Sequence, residues 1–290
     1  MEISLPPEFS FKECLHFLER SPRELLHKVE GDAVYKLVNY ESEKILFKVS
    51  SSDSRLIVDF PIAVPNDEIK QKIERYIIEW FDIDKDLKPF YEMATKDPFL
   101  SHLAQQHYGY RIVGMPDLYE SLVWAVIGQQ INLSFAYTLK QQFVREYGKK
   151  LVFKDKEYFL FPEPGIVAYL SMEDLLKIQF SRQKARYTIG ISDAFLDGTI
   201  SKEKLKGLSL IDAKEKLMKI KGIGNWTANY ALMKTFRHPD AFPLEDAALS
   251  NALRVFLQLD RKPTLNEIRE VFVRYKDWEA YATIYLWRSL

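Results

Sequence analysis

Apolar and polar positions divide the chain into a strand-like first third and a helix-like remainder. Across residues 34–64 apolar positions alternate with polar ones through VYKLVNY, KILFKVS and RLIVDFPIAV. Alternation with period two marks strands buried on one face. Polar breaks at Glu41-Ser42 and at residues 50–54 read as turns, so the segment predicts an antiparallel meander. A short extended start and a helix over residues 11–17, ended near Ser21-Pro22, precede it. Over residues 66–81 the period changes, and Ile69, Ile73, Ile77 and Trp80 share one helix face. This third reads as a structural platform, with no His, Cys and carboxylate cluster at ligand spacing. Asp82, Asp84 and Asp86 fall close together in FDIDKDL. The glycine and closing glutamate of an EF-hand loop are missing there, so the stretch reads as a solvated turn.

From Asp97 onward nearly every segment has helical spacing. Pro116-Asp117 opens DLYESLVWAVIGQQIN, whose apolar face is Leu118, Leu122, Ala125 and Val126. Gly128-Gln129-Gln130-Ile131 interrupts that face. Periodicity alone favours a kinked helix with surface glutamines; the alternative is a polar pair at the mouth of a groove. LVFKDKEYFLFPEP, residues 151–164, reads as a connection, because Pro162 and Pro164 exclude helix. Residues 171–178 and 183–196 read as helices, and Ser171/Asp174 and Ser209/Asp212 have capping-box spacing. The turn Phe180-Ser181-Arg182-Gln183-Lys184 is cationic, either facing phosphate or simply solvated. Residues 246–257 form a helix with Leu249, Leu253 and Phe256 inward. The last segment brings Trp278, Tyr281, Tyr285 and Trp287, with Tyr281 and Tyr285 one turn apart.

The most informative stretch is KIKGIGNWTANYALM, followed by a proline-bearing loop and Glu245-Asp246. It reads as helix, glycine turn, helix, loop and carboxylate. Glycine supplies the positive φ or bare backbone that so tight a turn needs. The amides of the turn and of the following helix start lack internal partners, and such amides suit a phosphate. Lys221, Gly222, Ile223, Gly224 and Thr227 are therefore the candidate phosphate contacts. Asp246 reads as a helix N-cap. The same placement keeps it ionised, able to stabilise a developing positive charge or to orient a water.

Composition narrows the partners. The 290 residues are 47% apolar and 28% charged, an ordinary globular balance. There is no apolar run of membrane-spanning length, and MEISLPPEF is unlike a signal peptide. One cysteine, Cys14, excludes an intrachain disulfide or a four-cysteine metal site, so a reducing cytoplasm is expected. The 41 basic and 41 acidic residues cancel. Any grip on a nucleic acid or other polyanion would have to come from a local surface and backbone amides rather than bulk charge.

The glycine turn with its downstream aspartate resembles the hairpin of the helix-hairpin-helix DNA glycosylases. With FDIDKDL, AVIGQQI, the proline connection, KARY and the terminal WEAYATIYLW in the same order, most of the chain is similar to the AlkA-type 3-methyladenine DNA glycosylases. The resemblance implies an α+β fold: an N-terminal antiparallel β-sheet domain with helices, then a mostly helical region of two subdomains with a cleft between them. The implied divisions are 1–112, 113–235 and 236–290, with 97–112 packing beside the last. Carried over, Asp246 is the catalytic carboxylate with Glu245 as its neighbouring acid, and Trp226, Tyr230, Trp287 and Gln129 line the base pocket. Gln130 or Ile131 would be the wedge, where the family often has leucine. Carbonyls of Met218, Ile220 and Ile223 would hold Na+ or K+, and catalysis would need no cofactor.

In bifunctional relatives a Schiff-base lysine occupies the position of Trp226, and an indole cannot serve so. The implied enzyme is a monofunctional DNA N-glycosylase that flips alkylated purines such as 3-methyladenine out of duplex DNA. It would be a monomer in the cytoplasm, associated with the nucleoid and not with membrane. The alternatives are a glycosylase for oxidised or deaminated purines and a non-catalytic helix-hairpin-helix DNA-binding protein. A small-molecule hydrolase would need a nucleophile or metal constellation that the sequence lacks.

Overall fold

The computed structural model describes residues 1–40 and 43–290. The chain runs β1 (Glu2–Ser4), α1 (Phe11–Leu18), β2 (His27–Glu30), β3 (Ala33–Tyr40), β4 (Glu43–Ser52), β5 (Arg55–Asp59) and α2 (Asp67–Phe81). Then follow α3 (Lys88–Ala94), α4 (Ser101–Gln106), α5 (Leu118–Gly128), α6 (Leu133–Tyr147), β6 (Lys150–Phe153) and β7 (Lys156–Phe159). The remainder is helical: α7 (Pro164–Val167), α8 (Met172–Lys177), α9 (Arg182–Leu196), α10 (Lys202–Leu205), α11 (Leu210–Met218), α12 (Asn225–Phe236), α13 (Ala247–Phe256), α14 (Leu265–Phe272) and α15 (Glu279–Trp287).

The predicted meander is three strands of a five-stranded antiparallel sheet of order β1-β5-β4-β3-β2. The turn expected at Glu41-Ser42 lies outside the described residues. One sheet face buries Val34, Phe47, Val49, Leu56 and Val58 against Ile69, Ile73 and Ile77 of α2 and Phe11 and Cys14 of α1. The other face is partly covered. Leu37 and Leu46 pack under Tyr158 of a β6–β7 hairpin. The supposed connection at 151–164 is thus partly a hairpin. Its two turn residues, Lys154 (φ 47°) and Asp155 (φ 59°), are both left-handed without a glycine to signal it.

FDIDKDL is not a solvated turn throughout. Asp82 ends α2 in a left-handed conformation, is buried, and accepts from Tyr281 Oη, with Arg237 3.7 Å away. Its carbonyl accepts from Arg111 Nη1 at 2.6 Å. Burial pushes the Asp82 carboxyl up to about 6. Only the middle of the motif faces water: Asp84 is exposed, and Asp86 Oδ1 caps the Lys88 amide at 3.0 Å. Tyr285, one turn beyond Tyr281, meets Tyr91 Oη of α3 at 2.7 Å and donates to the carbonyls of His107 and Tyr110. α15 is thereby packed against the segment that follows α2. Its tyrosines are core, as their spacing alone would suggest.

The helical region shares one apolar core. Helix α5 is buried on every side from Leu118 to Ile127, so its one-sided apolar face was too narrow an expectation. Helices pack around it: α12 on one flank and α9 on another. Nor is the stretch after it a kinked helix. α5 stops at Gly128, and Gln130 turns left-handed (φ 57°) before Asn132 caps α6. Among the described residues no helix is long and apolar enough to cross a membrane.

Candidate active site

Helices α11 and α12 meet in the glycine turn read from the sequence. The turn is closed by the Ile223 amide on the Ile220 carbonyl at 3.1 Å, with Gly222 at φ 99°. A Cβ on Gly222 would sit 2.3 Å from the ring of Tyr187, which packs flat behind the turn from α9. Both the dihedral and the close approach demand glycine here. Gly224 is the N-cap of α12 and offers no side-chain cap. The amides of the first turn are left to an outside acceptor, at the positive end of a helix dipole. Lys221 stands exposed beside them, and Ile223 buries its side chain below. Thr227 departs from its expected part. It is 2% exposed, and its hydroxyl accepts from Gln129 Nε2 at 3.0 Å. Its side chain belongs to the interior, leaving only its amide for phosphate.

From the hairpin the chain crosses a nine-residue loop to Asp246, the N-cap of α13. The carboxylate is 9% exposed and receives three donors. Oδ1 accepts from the Leu249 amide at 2.8 Å and from Trp287 Nε1 at 2.9 Å. Oδ2 accepts from Trp226 Nε1 at 3.1 Å. The cap and the chemical reading of Asp246 are one geometry: Oδ1 is saturated by the helix end and one indole, while Oδ2 has a single donor. Because the two indoles come from α12 and α15, the carboxylate is clamped from both sides.

The aromatic residues are ordered in depth. Trp226 and Trp287 are partly exposed at the carboxylate. Tyr230 lies behind, stacked on Trp226 at 5.2 Å and 23°, with its hydroxyl accepting from Trp124 Nε1 at 3.0 Å. Burial raises the Tyr230 phenol, so it stays neutral. Gln129 is less free than a pocket wall. Its Nε2 is held by the Gly222 carbonyl at 3.1 Å and the Thr227 hydroxyl, tying the loop 129–131 to the hairpin. Of the two wedge candidates, Gln130 projects as an exposed left-handed residue, and Ile131 is partly buried against the helical core.

Several positioning residues escaped the sequence reading. Asn225 Nδ2 donates to both oxygens of Glu245, at 2.9 and 3.0 Å, drawing that acid away from Asp246 toward the hairpin. Asn229 bonds back to the Asn225 carbonyl and accepts from the Phe242 amide at 3.1 Å. These two asparagines strap the Asp246 loop to α12; their i, i+4 spacing was the only available signal. Lys184, expected at a solvated or phosphate-facing turn, is buried and donates to backbone carbonyls instead.

Residues 123–276 match the HhH-GPD superfamily base excision DNA repair protein family, and residues 3–122 match the 8-oxoguanine DNA glycosylase N-terminal domain. The chain is 42% identical over 291 aligned positions to the DNA-3-methyladenine glycosylase of Bacillus subtilis, covering 99% of this chain and 96% of that one. In fold it is similar to the 3-methyladenine DNA-glycosylase from Archaeoglobus fulgidus, with TM-score 0.85 and 20% identity over 99% of this chain and 97% of the other. It is also similar to the Clostridium acetobutylicum 8-oxoguanine glycosylase/lyase, with TM-score 0.76 and 20% identity over 97% and 91%.

Proposed function

This chain belongs to the HhH-GPD superfamily of base excision DNA repair proteins, and from that premise we propose how its site works. It is a DNA-3-methyladenine glycosylase, hydrolysing the N-glycosidic bond of alkylated purines in duplex DNA. The observation that carries the mechanism is the Asp246 carboxylate held by two indole N–H groups whose rings stand at the same site.

The hairpin amides and Lys221 take a backbone phosphate. The damaged nucleotide is extruded, since its bond is unreachable in the stack. Trp226 and Trp287 offer π-faces to a cationic alkylated base, an attraction of roughly 0.5–2 kcal/mol. Such a base leaves readily, so the bond to the sugar breaks with little acid help. Asp246 then faces a sugar with oxocarbenium character and stabilises it electrostatically, or orients the attacking water.

The site is monofunctional in this reading. Among the described residues no amine hydrogen-bonds to Asp246 or to either indole. Lys234, the lysine on α12, is buried and donates to the Val113 carbonyl, and burial drives its amine well below the ordinary range. Catalysis needs no cofactor. The carbonyls of Met218, Ile220 and Ile223 would hold a monovalent cation at the hairpin, where the Ile220 carbonyl also accepts the Ile223 amide. Na+ or K+ there would add positive charge near the phosphate. The enzyme acts as a monomer on nucleoid DNA in the cytoplasm.

The 8-oxoguanine likenesses favour a second reading, removal of oxidised purines. They concern the N-terminal segment and the fold, whereas the paired indoles suit a cation. One assay decides: free base released from methylated duplex DNA and from 8-oxoguanine duplex, scored before and after alkali. Release of 3-methyladenine with breaks only after alkali is expected. Preferential release of 8-oxoguanine, or breaks without alkali, would refute the assignment.

A further inference from the structure

Lys184 lies on α9, outside the groups that contact DNA or base, yet it is the best-placed cation near them. Its ammonium donates to the carbonyls of Val126 at 3.0 Å, Ile127 at 2.7 Å and Gln129 at 2.6 Å. They lie at and just beyond the C-terminal end of α5, where the helix dipole is negative; the Val126 carbonyl also accepts the Gln129 amide at 3.2 Å. An ammonium has three protons, and all three are used. The group is 8% exposed, and no carboxylate pairs with it among the described residues. Burial accordingly pushes it down to about 8. A buried cation without a counter-ion is costly to keep, so its contacts must supply something that an apolar residue could not.

What the contacts hold is the loop 129–131. The chain leaves α5 there through Gln130 in a left-handed conformation, uncommon for a residue with a side chain. The neighbouring residue Gln129 is bonded to the hairpin through Gly222 and Thr227. Tyr187, three positions after Lys184 on α9, packs behind Gly222, and Gln183 Nε2 fixes its hydroxyl at 2.8 Å. One helix thus braces both turns that face DNA.

We infer that Lys184 is a positioning residue for base extrusion, holding the loop 129–131 in the conformation that fills the space left by the flipped nucleotide. The inference rests on the glycosylase reading above. It distinguishes the step at which Lys184 acts: it assists removal of the base from the stack and leaves the chemistry at Asp246 alone. The test is single-turnover release of 7-methylguanine by wild type, Lys184→Met and Lys184→Gln. Each is given the base paired in a duplex and, separately, unpaired in a one-nucleotide bulge that is already part-extruded. Lys184→Arg is the conservative rescue. Melting curves confirm that each variant is folded at the assay temperature.

We expect Met and Gln to slow release from the paired duplex at least ten-fold more than from the bulge, with Arg recovering part of the difference. Equal slowing on both substrates would overturn the inference, since that is the mark of a general structural role. No slowing would overturn it equally. If Met alone fails to fold, the Gln and Arg comparison still decides. Wild type inactive on both substrates would overturn the glycosylase reading itself, a result separate from any difference among variants.

Discussion

Asp246→Asn is the sharpest perturbation of this site, and the structure makes it two experiments in one. The first concerns rate. A carboxylate about 4 Å from a unit positive charge, at an effective dielectric near 20, contributes about 4 kcal/mol of attraction. Removing its charge should slow base release by about three orders of magnitude, at ~1.4 kcal/mol per tenfold. The second concerns stability. Asparagine can keep an oxygen toward the Leu249 amide and Trp287 Nε1, but its amide nitrogen must then replace Oδ2, 3.1 Å from Trp226 Nε1. A donor would face a donor. Flipping the amide only moves the conflict to the two donors on Oδ1. The lost charge-assisted hydrogen bond is worth about 1.5–3 kcal/mol, which lowers Tm by roughly 3–10 °C in a protein of this size. The assays are single-turnover release of 3-methyladenine, calorimetric melting, and affinity for abasic-site duplex. Affinity should hold within a few-fold, because the phosphate contacts are backbone amides and Lys221, whose ammonium does not bond to the carboxylate. An Asn variant within ten-fold of wild-type rate would refute the electrostatic account.

Trp287→Phe keeps an aromatic ring but removes the N–H to Asp246, and should lose about 1.5–3 kcal/mol of that bond. Trp287→Ala should reduce release of cationic 7-methylguanine further than release of neutral hypoxanthine; equal losses would contradict stacking with a cation. Lys221→Glu should weaken binding to abasic-site DNA and flatten its salt dependence without shifting the melting curve, as titrations at two ionic strengths would reveal. Gly222→Asp is unsuitable for the same purpose, because its Cβ meets Tyr187 and its φ is positive. Glu279 at the start of α15 has a buried Oε2 without a hydrogen-bond partner among the described residues, and burial raises its carboxyl from 4.5 to about 7. The folded state therefore holds this proton more tightly than the unfolded one. Stability falls as pH rises from about 4.5 to about 7, and Glu279→Gln should remove that fall. After allowance for partial solvent contact, the variant gains ~1 kcal/mol at pH 8, read by urea titration at pH 5 and pH 8.

What could be read in advance followed local rules. The hairpin was legible because only glycine tolerates Gly222's dihedral, and Asp246 because N-caps have a residue signature. The alternation over 34–64 revealed its strands, since one face must reach the core. What stayed hidden depends on contacts between distant segments. Asp82 looked solvated because nothing near it in sequence announces Tyr281 or Arg237. Lys184 looked like surface charge because its partners are backbone carbonyls, which every residue type carries. The β6–β7 turn was missed because Lys154 and Asp155 adopt left-handed geometry without the usual glycine. That the two indoles donate to Asp246 was equally invisible: the sequence indicates aromatic walls, not which way an N–H points.

The clamp on Asp246 also bears on how the enzyme comes into being. Trp226 is twenty positions from the carboxylate, on an adjoining helix. Trp287 arrives on α15, whose tyrosines are anchored on Tyr91 and Asp82, 194 and 199 positions earlier. Contacts of such long sequence separation require large loops to close and tend to form slowly. The first indole reaches Asp246 across a short loop, while the second reaches it only once α15 has packed against the segment that follows α2. The two ends of the sequence therefore meet in the chemistry: the sheet-bearing first third, through Asp82 and Tyr91, decides where an indole at the last helix stands against the carboxylate.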